Sequence, residues 1–432
     1  MTAPETCTCD TGAHAVPARR GMTRRTLLRR SARVAAAASV GGLLGPALTT
    51  HVAWADTGYT GDTLVVLSLR GGFDGMSAVA PVGDPLYASL RPTIGLPASL
   101  TTPLSSVFGL HPALAPLLPL WNAGQLAVLQ AVGQPSGTRS HFQATAELEK
   151  AAPDSTLRTG WLNRVLGTRG TLTPFSGVAM GATSLPQSLV GAPATSMTSI
   201  DSFGLSVWSG YEPHFSTALS SAWGAVPSGA STQVVGALQA LGTTAAMTAA
   251  GYTPANSVTY PTSPLGKALR DVARLVRNEA VRPQVVTLDY GNWDMHVGLG
   301  RPGDTGGWLH RQLGDLAACL VAFATDLGDL LGRVSLVTLS EFGRRVAENG
   351  TGGVDHGHGN AMFVLGGGIA GGKVYGGWNG LAPAALDAGD LPRTTDYRDV
   401  LGELLVKRCR VGSLSTVFPG LAYTPPGLAR QA

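Results

Sequence analysis

Cysteine is scarce in this chain: four among 432 residues, at positions 7, 9, 319 and 409. So few exclude a small disulfide-built scaffold, and their spacing does not make an iron–sulfur site. No apolar run is built to span a bilayer, which takes about 20 residues. The glycine-rich stretch after the first strand-like segment, Arg70-Gly71-Gly72-Phe73-Asp74-Gly75, lacks the Gly-x-Gly-x-x-Gly spacing of a dinucleotide-binding turn. No repeat of fixed period stands out. Basic excess is also missing once the N-terminus is set aside. Residues 1–55 hold seven arginines (19, 20, 24, 25, 29, 30 and 33) against Glu5 and Asp10, which leaves 24 basic side chains (31 less 7) and 25 acidic ones (27 less 2). With a balance near −1 the basic pI belongs to the N-terminus and says nothing about nucleic acid, and with no basic helix later in the chain no nucleic-acid partner is expected.

What the N-terminus does hold is an ordered succession. Arg24-Arg25 lies in a basic segment, an Ala- and Gly-rich apolar run extends from Val34 to Leu48, and Ala53-Trp54-Ala55 has a small-x-small pattern. This predicts a twin-arginine (Tat) export signal cleaved after Ala55, read by the Tat machinery, and a periplasmic, cell-wall-associated or secreted mature protein. The weakly apolar run leaves no stable membrane span after cleavage. The remaining 56–432 are expected to form a single domain. Of its two cysteines, Cys319 lies in an apolar helical stretch and is expected to pack as a small hydrophobe. A Cys319–Cys409 disulfide and two free thiols both fit the pattern.

Strands with continuous apolar character, as in a sheet buried on both faces, are predicted at 63–69, 125–132, 284–289, 334–339 and 361–365. Helices are predicted at 112–122, 141–150 with Ser140 as N-cap, 265–280, 307–331 and 397–408. Alternation of the two predicts an α/β fold, a mainly parallel central sheet flanked by helices. Residues 168–262 are long, polar and rich in small side chains, and read as an inserted cap region.

Five loops just past predicted strands carry polar groups: Asp74, Ser140-His141, Asp294-x-His296, Glu341 with Arg344, and Asp355-His356-x-His358. The carboxyl ends of parallel strands lie along one edge, so these groups can converge. Singly, each has a plainer reading: a turn residue, a helix cap, a hydrogen-bonded pair, a surface ion pair. The histidines on the glycine-rich loop are hardest to dismiss, because glycine lets backbone wrap closely around a ligand. Mixed oxygen and imidazole donors suit zinc, manganese or iron better than calcium.

The set Leu69–Ser77, Arg139-Ser140-His141-Phe142, Trp293-Asp294-Met295-His296, Ser340-Glu341-Phe342-Gly343-Arg344 and Asp355-His356-Gly357-His358-Gly359 resembles the bacterial domain-of-unknown-function 1501 family, whose members are typically Tat-exported. More distantly, the motif order is similar to the alkaline phosphatase and sulfatase superfamily. That resemblance implies an alkaline-phosphatase-like fold and one or two divalent ions, zinc or manganese. Metal ligands are then expected among Asp74, Asp294, His296, Glu341, His356 and His358. It further implies Ser140 as nucleophile, with Arg139 or Arg344 clamping the oxygens of a small-molecule or polymer ester of phosphate or sulfate. One departure stands out: the superfamily's Asp-His pair is here Glu341-Phe342, and phenylalanine cannot ligate a metal, so either His141 or Asp355 compensates, or only one metal binds, or the site has lost catalysis. Two functions follow as expectations, a metal-dependent ester hydrolase and a catalytically degenerate metal-binding protein acting in binding or assembly outside the cytoplasm.

Overall fold

The computed structural model describes residues 59–432 apart from 171, 208–209 and 224–228. The expected export signal and its cleavage site lie outside the described residues. A nine-stranded sheet organises the chain. Its strands are β1 (Thr63–Leu69), β2 (Leu126–Gly133), β3 (Gly177–Met180), β4 (Ala194–Met197), β5 (Val285–Tyr290), β6 (Val334–Leu339), β7 (Asn360–Leu365), β8 (Val374–Tyr375) and β9 (Thr395–Asp396). They are ordered β8-β2-β7-β6-β1-β5-β3-β4, with β9 also paired to β2. Central β1 runs parallel to both neighbours, Val65 lying between Val286 of β5 and Leu336 of β6. Only β7 is antiparallel to the strands beside it. The fold is α/β with a mainly parallel sheet, as the alternation of strands and helices predicts.

Helices cover both faces. Val65, Leu67 and Leu69 join a core with α5 (Pro264–Arg277) and α6 (Trp308–Leu327), through Leu269, Val272, Leu316 and Phe323. Leu64 and Val66 join the opposite core with α2 (Trp161–Gly167) and α7 (Tyr397–Lys407), through Leu162, Val165, Val400 and Leu404. Each such fully buried aliphatic side chain contributes about 1.5–3 kcal/mol of transfer free energy. Cys319 lies in the first core and Cys409 in the second; both are free, and burial pushes each thiol up to about 12. No helix among the described residues is long and apolar enough to cross a membrane.

The expected cap at 168–262 needs correcting. Its first part supplies β3 and β4, which extend the central sheet in parallel beyond β5. Only afterwards does the chain leave the sheet, as α3 (Glu212–Trp223) and α4 (Gly229–Ala250).

One connection decides where the chemistry gathers. Between β6 and β7 there is no crossover helix, only the loop 340–359, so the chain turns back at the edge it has just reached and β7 runs antiparallel. Glu341, Arg344, Asp355 and His356 therefore leave from and return to the same carboxyl edge as the residues after β1 and β5.

Candidate metal centre

Three imidazoles meet at that edge. His141 is the first residue of α1 (His141–Lys150), His296 follows β5, and His356 lies late in the 340–359 loop. His356 Nε2 is 3.0 Å from His141 Nε2 and 2.9 Å from His296 Nε2. Asp294 Oδ1 lies 3.5, 3.0 and 3.3 Å from Nε2 of His141, His296 and His356. His141, Asp294 and His356 form the set whose donor atoms all lie within 4.8 Å of one another; His296 closes on two of these three.

The outward nitrogens settle which way the inward ones face. His141 Nδ1 lies 2.7 Å from Glu341 Oε1, His296 Nδ1 lies 3.0 Å from Asp355 Oδ1, and His356 Nδ1 lies 2.9 Å from the carbonyl of Arg139. All three partners are acceptors, so each Nδ1 carries the proton and each Nε2 presents a lone pair inward. Arg344 agrees: its Nη1 donates to His296 Nε2 at 3.3 Å. Lone pairs facing each other at 2.9–3.0 Å repel unless a cation sits between them. A tetrahedral ion with metal–nitrogen bonds of about 2.0–2.1 Å sets its ligand atoms roughly 3.3 Å apart, close to the 3.0–3.5 Å separations among His141, Asp294 and His356; His296 lies outside the set whose donor atoms are all mutually close. The donor set fits a divalent ion such as zinc.

The electrostatics favour the same outcome. Burial favours the neutral form of Asp294, but the hydrogen bond and charge of Arg344, with His356 and His296, outweigh it and bring the carboxyl down to about 2. Burial, then the charge of Arg344, lowers the His356 pKa and disfavours a proton there. Asp355 is held low chiefly by the hydrogen bond from His296, then by Asn349. Asp294 is half exposed, so the centre opens to solvent on that side.

Close approach at this edge depends on two glycines. Gly71 and Gly72 turn the chain after β1 with φ of +116° and +68°. A Cβ on Gly71 would meet the backbone nitrogen of Asp294 at 2.6 Å, and one on Gly72 the ring of Phe342 at 2.7 Å. Only glycine lets these loops touch.

The structure separates the other expected site residues from this cluster. Asp74 is buried and taken by Arg91 at 2.6 and 3.1 Å, and no hydrogen bond or ion pair among the described residues links it to the histidines. A second ion held by Asp74 and Glu341 therefore has no support in the geometry. Glu341 is buried and accepts from Gly71 N and His141, so it orients the His141 ring. His358 turns away to Asp390, 3.5 Å distant. Ser140 caps α1 by position only: it is exposed and its side chain makes no capping bond. Arg139 reaches the cluster through its carbonyl, while its guanidinium pairs with Asp390. Arg344 is buried and donates to the carbonyls of Gly71, Gly72, Trp293 and Val354, to Asp294 and to His296, so it fastens the loops after β1 and β5 to its own 340–359 loop. Phe342 packs its ring 4.8 Å from that of His141 and 4.6 Å from that of His356, an apolar wall. Of His141 and Asp355, it is His141 whose ring nitrogen joins the cluster with Asp294 and His356. Arg91 and Asp390 carry no sequence signal, since each sits in an irregular segment without periodicity.

A family model described as "Protein of unknown function (DUF1501)" matches residues 240–398, a stretch that includes Asp294, His296 and His356 but stops short of His141. No curated protein matches. Among solved structures, the chain is similar to the C-terminal periplasmic domain of EptC from Escherichia coli in complex with zinc, at 11% identity and a TM-score of 0.31, covering 71% of this chain and 73% of that one. It is similar to the PsFucS1 sulfatase from Pseudoalteromonas sp., at 11% identity and 0.34, covering 86% and 74%. It is also similar to the phosphonate monoester hydrolase of Agrobacterium radiobacter, at 9% identity and 0.32, covering 84% and 79%. At such TM-scores these likenesses carry no argument about this chain.

Proposed function

We propose that the chain is an exported, metal-dependent hydrolase of phosphate or sulfate esters, built around one divalent ion, zinc or manganese. The observation that carries this reading is the convergence of three Nε2 lone pairs and the Asp294 carboxylate, each imidazole locked from behind by an acceptor. His141, Asp294, His296 and His356 would hold the ion. When bound, it supplies Lewis-acid polarisation of an ester oxygen. Glu341, Asp355 and the Arg139 carbonyl keep protons on the outer nitrogens, and Phe342 excludes water from one side of the rings. Ser140, exposed one residue before a ligand, is the group assigned to attack: its oxygen bonds to phosphorus or sulfur, its proton passes to solvent, and the ester alcohol leaves. Water then releases the acid from Ser140.

A second reading, metal binding without turnover, is favoured by two specific observations. Arg344 is buried and engaged by Asp294 and four backbone carbonyls, and no base among the described residues is hydrogen-bonded to the Ser140 hydroxyl. Elemental analysis of the purified chain, followed by turnover of aryl phosphate and aryl sulfate esters, separates the two. The hydrolase reading expects one ion per chain and turnover that Ser140→Ala abolishes while leaving the ion bound. Bound metal with no ester turnover establishes the second reading, and absence of metal sinks both.

A further inference from the structure

A cavity lies between the segment that follows β1 and the start of α6, and it shares no residue with the metal centre. Ser77 and His111, 1% and 6% exposed, line its depth; Arg301, Asp304 and His310 line its mouth. His111 Nδ1 accepts the backbone N–H of Ala113 at 3.0 Å. That bond uses the Nδ1 lone pair, so the neutral ring carries its proton on Nε2, which has no hydrogen-bond partner among the described residues. Ser77 Oγ accepts from Arg91 Nη1 at 2.8 Å, and no acceptor among the described residues takes its own proton. Arg301 is exposed, with neither an ion pair nor a side-chain hydrogen bond among the described residues.

These groups select the occupant. Buried polar hydrogens are as a rule met by an acceptor, and here two residues that carry unmet ones line a single cavity. A cation finds no lone pair on His111. Asp304, the one carboxylate in the lining, is turned to its own loop, where its Oδ1 accepts Gly306 N at 2.9 Å. The walls Ile94, Leu96, Leu299 and Leu309 are apolar and bring no competing acceptor side chain. The His310 ring crosses that of His111 with centroids 5.4 Å apart, near enough to add a further N–H. We propose that the cavity binds a small oxyanion, a phosphate, sulfate or carboxylate group, with His111 Nε2–H and Ser77 Oγ–H donating to its oxygens and Arg301 balancing its charge. The site requires no metal ion.

Ring signals of His111 and His310 in the histidine-labelled whole chain, followed by NMR as sodium sulfate or sodium acetate is added at constant ionic strength, test this. Saturable shifts are expected with at least one of the two anions. Ser77→Ala should weaken that binding at least tenfold, and Arg301→Met severalfold, with metal content unchanged; His356→Ala should leave it as it is. Arg301 lies at the exposed mouth, so its variant keeps the test decisive should Ser77→Ala fail to fold. No saturable shift with either anion, the mark of a cavity for water only, overturns the proposal. So does binding that both variants leave intact, or binding that His356→Ala abolishes, which would put the anion at the metal centre.

Discussion

Glu341 accepts the Nδ1 proton of His141 at 2.7 Å while its same oxygen accepts the backbone N–H of Gly71 at 2.8 Å. One buried carboxylate thus fixes both the His141 tautomer and the turn after β1. Glu341→Gln keeps the size but offers an amide that can present its NH2 to the ring. Divalent-ion affinity should fall about 10- to 100-fold, as when outer partners of metal-binding histidines are changed. Competition against a chromogenic chelator measures it, and unchanged affinity would remove Glu341 from the site.

His356 and His358 are two residues apart, yet only His356 faces the other imidazoles. His356→Ala should abolish stoichiometric metal binding; His358→Ala should leave it intact. Elemental analysis of both variants decides the matter, and equal losses would contradict the geometry.

Arg91 and Asp74 form a buried ion pair, and Arg91 also donates to the carbonyls of Arg345 and Val346 in the 340–359 loop. Arg91→Met strands the Asp74 charge in the interior. Breaking such a pair costs on the order of 3–5 kcal/mol. Urea unfolding should show a loss of that size, and a change under about 1 kcal/mol would mean the pair is dispensable.

His111 is buried, and burial, then the nearby His310, lowers its pKa to about 4. The unfolded chain takes up this proton near pH 6.5, the native chain only near pH 4. Stability from this group is therefore present above pH 6.5 and lost as pH falls toward 4, by up to about 3 kcal/mol. Its Nδ1 accepts from Ala113 N, a bond that Asn can also make at a helix N-cap. Urea midpoints at pH 7.5 and 4.5 should lie closer together in His111→Asn than in the wild type, and an identical spacing would rule out this source of acid sensitivity.

Much of the frame was readable because long strands and helices carry a period. β1, β6, α5 and α7 lie within a few residues of the segments that pattern marks. β3 and β4 have four residues each, small and unflanked by clear signals, and hide in a stretch that reads as loop. Asp74 shows why the site was harder. A carboxylate in a glycine turn looks the same whether it meets a metal or a guanidinium, and its partner lies 17 residues on, in the irregular excursion after the turn. Ser140 and His141 show the limit of another kind. One step along a helix turns a side chain by about 100°, so the pattern marked the helix start without saying which residue looks inward.

Because His141 and His356 stand 215 positions apart, no short stretch of the unfolded chain can assemble the whole donor set. Closing a loop of that length costs about 5 kcal/mol before any bond to the ion forms. On the proposed function, metal capture would therefore complete folding rather than begin it. A chelator should empty a native molecule without dismantling it, since the sheet beneath is already closed by its own packing.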